Sequence, residues 1–138
     1  MSKTKLILVF SLLALCQIVS YGKNCSEEND TTVYTVVDKY PVLIANGRYY
    51  ELDKIDEFIK PNCQFPDNQN DCSGRVFISI VVEKDGTVKN REFERRLCEG
   101  FDENSMKIIE LMIRWKPGIK DGKSVRTKLT LPVTWRLE

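Results

Sequence analysis

The chain has 138 residues, room for one ordinary domain, and a composition typical of globular rather than disordered proteins. Its 21 Lys and Arg nearly balance 20 Asp and Glu, so no net field draws it to nucleic acid. It has no histidine, which removes imidazole bases and both Ser–His and Cys–His nucleophile pairs.

Lys3 and Lys5 precede an apolar run from Leu6 to Val19, and Ser20-Tyr21-Gly22 supplies small residues at the cleavage positions. Residues 1–22 therefore read as a secretory signal peptide of an exported protein, with Lys23 the mature start. The run is short of the ~20 residues that span a bilayer, so an uncleaved inner-membrane anchor ranks second. A lipid anchor at Cys16 ranks third, because Leu15 before it is not small. Removing residues 1–22 leaves 19 basic against 20 acidic residues. It also leaves Cys25, Cys63, Cys72 and Cys98, an even set in an exported chain, where disulfides are the default. Their spacing fits no zinc template.

Residues 23–35 form a polar, acidic lead-in, although Val33 to Val37 (VYTVV) is β-branched enough for a short outlying strand. Asp38-Lys39-Tyr40-Pro41 turns the chain. Leu52, Ile55, Phe58 and Ile59 then recur at helical spacing, predicting a first helix that Pro61 stops. Asn62 to Ser73 is loop by composition.

Strand A, Gly74 to Glu83, is apolar on both faces and so belongs in the centre of a sheet. Lys84-Asp85-Gly86-Thr87 predicts a hairpin with a two-residue Asp85-Gly86 loop. The charged strand B runs from Val88 to about Leu97. Val88 and Phe93 differ in parity, so a bulge between them is needed if both face the core. That loop would place Cys72 opposite Glu99, one residue from Cys98. Of the three connectivities open to four cysteines, the hairpin therefore favours Cys72–Cys98, leaving Cys25 with Cys63.

Asp102 is read as the N-cap of a second helix whose stripe is Met106, Ile109, Met112 and Ile113, with Trp115-Lys116-Pro117-Gly118 ending it. Gly122 marks another turn. Strand C, Ser124 to Leu137, alternates apolar odd positions with polar even ones, so one face meets a core and the other meets water.

Helix, strand A, strand B, helix, strand C make an α+β domain: a small antiparallel sheet in the order B-A-C with both helices on one face. Pro132 cannot donate to a ladder and places strand C at the edge. If its nitrogen points outward, so do the backbone groups of Arg126, Lys128, Thr130, Thr134 and Arg136, which an extended peptide could pair by strand addition. The competing reading is a protected edge that is unused or self-associates into a homodimer, in a stand-alone exported module. There is no phosphate loop, and the carboxylates are scattered over solvated faces. No enzyme activity and no metal or cofactor are expected.

Residues 36–138 resemble the TonB carboxy-terminal domain in the style found in Bacteroidetes. The motifs are Val37-Asp38-Lys39-Tyr40-Pro41, Gln64-Phe65-Pro66, Gly74 to Val82, Asp85-Gly86-Thr87-Val88, Phe101-Asp102, Trp115-Lys116-Pro117-Gly118, Gly122-Lys123-Ser124-Val125 and Leu131-Pro132-Val133-Thr134-Trp135. The resemblance implies a periplasmic domain that pairs its last strand with the TonB box of an outer-membrane receptor, in TonB-dependent transmembrane transport. An anchored form would also meet inner-membrane motor proteins. Gln64, Phe65 and Pro66 match the family's Gln-Tyr-Pro segment beside the bound peptide, with Phe65 lacking the tyrosine hydroxyl.

Overall fold

The computed structural model describes residues 31–67 and 72–136. The predicted signal peptide, most of the lead-in and Cys25 lie outside the described residues. The described strands are β1 (Val33–Tyr34), β2 (Val42–Ala45), β3 (Arg48–Tyr50), β4 (Gly74–Val82), β5 (Val88–Arg95), β6 (Arg114–Lys116), β7 (Gly118–Lys120) and β8 (Lys123–Trp135). The helices are α1 (Asp56–Asn62) and α2 (Phe101–Glu110), with a 3-10 turn at Leu52–Lys54 ahead of α1.

The main sheet runs β1-β8-β4-β5, with β7 also paired to β8. β4 and β8 pair antiparallel over nine positions, from Gly74 opposite Trp135 to Val82 opposite Thr127. Their inward residues, Val76, Ile78, Ile80 and Val82 with Leu129, Leu131, Val133 and Trp135, are buried. They share one core cluster with Ile55, Phe58 and Ile59 around α1 and Phe101, Ile108 and Ile109 of α2. Each such side chain contributes roughly 1.5–3 kcal/mol on burial. On the opposite face of β4, Val81 is buried too. There Lys128 on β8 reaches across the central strand to Glu94 on β5 (Nζ–Oε1 2.8 Å), its aliphatic stem covering apolar surface.

The β4–β5 hairpin differs from expectation by one residue. Val82 faces Val88, and the Glu83 N–H donates to the Thr87 carbonyl (2.8 Å). The loop is thus the three residues Lys84, Asp85 and Gly86, with Gly86 at φ 85°, the left-handed position such loops require. The ladder shifts register between Ser79 and Val81, where β5 carries Asn90 at φ 50°. That bulge brings Val88 and Phe93 to the core side. Cys72 and Cys98 form a disulfide across the hairpin's open end.

Three further expectations are corrected. Pro61 does not stop the first helix; it lies within α1, and Asn62 Nδ2 donates to the Phe58 carbonyl (2.7 Å). Asp102 does not cap α2. Gly100 holds that place, and the buried Asp102 Oδ1 accepts the Leu97 N–H (2.7 Å), fastening the end of β5 to the helix. The second helix ends at Glu110 rather than running to Trp115, because Arg114–Lys116 pairs as β6 with β2.

That pairing belongs to a second sheet, β3-β2-β6, which the sequence reading omitted. β2 and β3 form a hairpin in which Ala45 faces Arg48 across Asn46-Gly47. Both loop residues have positive φ, 52° and 71°, as a type I′ turn demands. Leu43, Tyr50 and Trp115 point from this sheet into the core cluster.

Candidate peptide-binding edge

The outer edge of β8 follows from the register. Pro132 stands opposite Phe77 of β4, and with no N–H it can occupy only a non-hydrogen-bonded pair. The backbone groups of the even residues therefore point away from β4. β8 is not an open edge throughout, however. β1 pairs parallel to it, Val33 opposite Arg126 and Tyr34 opposite Thr127. Beyond Thr127, from Lys128 to Trp135, no strand lies on the outer side among the described residues.

β1 is fixed at both ends. Upstream, Arg126 Nη1 donates to the Thr31 carbonyl (2.7 Å), while its Nε and Nη2 fork onto the Glu83 carboxylate (2.8 and 2.9 Å), a bidentate geometry. Downstream, the Asp38 and Lys39 N–H groups donate to the Ile119 carbonyl (2.9 and 3.0 Å), and Asp38 Oδ2 accepts the Asp121 N–H (2.8 Å). Between these anchors the chain bends at Thr35 and Val36, and Thr35 and Tyr40 line the cleft beside Lys128–Pro132.

Two clefts border the outer half of β8. One, of ≈ 550 Å³, runs between Lys128–Pro132 and the 3-10 turn and start of α1, with Leu52, Asp53 and Asp56 in its wall. The other, of ≈ 650 Å³, lies at Thr134–Arg136 and is lined by Asp56, Lys60, Cys63, Phe65 and Arg75. Asp56 lines both, so they abut along the strand. At the far end Phe65, Phe101 and Trp135 form an edge-to-face trio with centroids 5.2 to 6.1 Å apart. Trp135 Nε1 donates to Ser105 Oγ (2.9 Å), which in turn donates to the Phe101 carbonyl (2.7 Å). The end of β8 is thereby tied to α2, while Phe65 stays half-exposed against it.

The family described as Gram-negative bacterial TonB protein C-terminal matches residues 63–137, more than half of the chain. The chain belongs to the TonB C-terminal family. The matched span includes β4 through β8 and leaves β1 to β3 and all of α1, one wall of the cleft, outside it. The solution structure of the Helicobacter pylori TonB C-terminal domain is similar at 17% identity and a TM-score of 0.44, covering 63% of this chain and 82% of that one. Among curated proteins no sequence matches.

In this TonB-family domain the predicted site residues do not all converge. Lys128 and Thr130 border the first cleft, Thr134 and Arg136 the second, and Phe65 faces Trp135 there. Arg126 is taken out of the edge by β1 and by its bonds to Glu83 and Thr31. Gln64 lines a different cleft of ≈ 220 Å³, between α1 and α2, and its carbonyl accepts from Asn104 Nδ2 (2.7 Å). Pro66 sits over Gly100 at the start of α2.

Among the described residues Cys63 has no disulfide partner, and Cys25, with which the sequence reading pairs it, lies outside them. Burial pushes its pKa up, and Asp56 adds to the effect. Sequence reasoning missed Asp53, Asp56 and Lys60 as groove residues. Their positions on the polar side of an amphipathic helix gave no sign that this side borders β8. Among the described residues no cluster of three His, Cys, Asp or Glu side chains suits a metal ion, and no helix is long and apolar enough to cross a membrane.

Proposed function

We propose that this domain works in the periplasm as a TonB-like binding module. It takes an extended segment of an outer-membrane receptor, the TonB box, onto the outer side of β8 by strand addition, within TonB-dependent transport. A partner paired there gains main-chain hydrogen bonds from the strand and side-chain contacts from the flanking wall. The role is that of an interaction module rather than an enzyme. The observation that carries the reading is the stretch from Lys128 to Trp135, where no strand among the described residues pairs on the outer side and a cleft runs alongside.

The test is titration of the isotope-labelled chain with TonB-box peptides. Amide resonances of Thr130, Thr134 and Arg136 should shift, and those of β5 on the opposite side of the sheet should not. A chain that ignores the peptides but dimerises with concentration in sedimentation would assign the same edge to self-pairing and overturn the proposal.

A further inference from the structure

The charged side chains around the groove are sorted by sign along its length. Asp53 and Asp56 stand in the wall opposite Lys128–Pro132, whereas around Thr134–Arg136 the three cations Lys60, Arg75 and Arg136 outnumber Asp56, which lines that cleft as well. All five are exposed. Neither ion pair among the described residues, Arg126–Glu83 or Lys128–Glu94, uses any of them. Lys128 itself is occupied by Glu94, so it does not cancel the acidic wall. β1 meanwhile blocks the edge at Arg126 and Thr127, pinned at both ends as described.

We infer that the groove selects its guest by length and by charge order. The guest strand abuts β1, covers Leu129 to Arg136, and carries a cation at the end beside Asp53 and Asp56 and a carboxylate at the end beside Lys60, Arg75 and Arg136. At ~3.3 Å per residue this is a segment of about eight residues. The inference rests on the strand-addition reading and adds the chemistry of the partner. The acidic wall lies outside the span matched by the family.

The test uses fluorescein-labelled octapeptides of alternating Val and Thr. They end in Lys and Glu in both orders, in Lys at both ends, in Glu at both ends, or in neutral residues. Exposed ion pairs gain little each, so one of the two mixed peptides should bind about five- to tenfold tighter than the neutral one and tighter than either like-charged peptide. D53N, which leaves the second cleft unchanged, should weaken the advantage of the lysine and leave that of the glutamate, and R75Q/R136Q should do the reverse. The amides of Arg126 and Thr127 should stay unshifted throughout.

Equal binding of neutral and mixed peptides, with Leu129–Arg136 amides still shifting, would overturn the charge order and leave strand addition standing. Shifts at Arg126 and Thr127 would overturn the role of β1 as a stop. Binding of no peptide at all would overturn both the inference and the function on which it rests.

Discussion

Gly86 holds two structures together at once. Its φ of 85° closes the β4–β5 loop, and its carbonyl accepts the Trp115 N–H (3.0 Å), docking β6 against the hairpin. A Cβ there would overlap the Trp115 carbonyl oxygen. Gly122 also has positive φ, 74°, but a Cβ at that position meets nothing within 4 Å. G122A should therefore cost only the left-handed backbone penalty, about 1 kcal/mol. G86A should add a steric term and reach on the order of 3 kcal/mol. Urea unfolding of the two variants separates the contributions, and equal losses would show that the Trp115 contact is not rigid. Pro132 makes a prediction of opposite character. P132V restores a donor on the outer side of β8, so concentration-dependent self-association in sedimentation should rise.

At the scale of elements, Cys72–Cys98 bridges positions 26 residues apart, closing the open end of the hairpin and holding the start of α2 to it. Loop-closure entropy assigns such a bridge about 3 kcal/mol, which the loss of urea stability in C72S/C98S should match. Which elements were legible follows from where their information lies. β4, β5 and β8 were readable because each carries its alternation or its turn residues within its own span. The bulge near Asn90 was readable from the parity of Val88 and Phe93 alone. β6 was not, because Arg114-Trp115-Lys116 has no strand pattern of its own and is extended only by pairing with β2. The β2–β3 hairpin was legible in principle, since Asn46-Gly47 between apolar residues is a strong short-range signal; it was passed over for the helix that follows. The cover of Arg126 by β1 depends on two residue pairs that join positions about ninety residues apart, beyond the reach of any local pattern.

At the scale of the whole molecule, the shifted ionisations among the described residues lie at the two ends of the pH scale. With no histidine, no side chain of ordinary pKa titrates between about pH 5 and 8. The Asp85 carboxyl is held below its usual value by the Thr87 hydroxyl and N–H (2.7 and 3.0 Å), and Glu94 by its bond to Lys128. A carboxylate with a lowered folded pKa contributes stability that is present above the unfolded value and lost as pH falls through the folded one. Lys128 is shifted upward by Glu94, and Cys63 upward by burial. A raised pKa contributes stability that is full below the unfolded value, 10.5 for the lysine and 9.0 for the thiol, and lost as pH rises through the folded one. Stability should therefore form a plateau across neutral pH, decline below about pH 4 and decline again above about pH 9. Trp115 and Trp135 are both buried, so their fluorescence reports unfolding directly in urea titrations at each pH. E94Q should flatten part of the acid limb and, by freeing Lys128, part of the alkaline limb as well, whereas C63S should act on the alkaline limb alone. A slope between pH 6 and 8 in the parent chain would mean that some group outside these four carries the pH dependence.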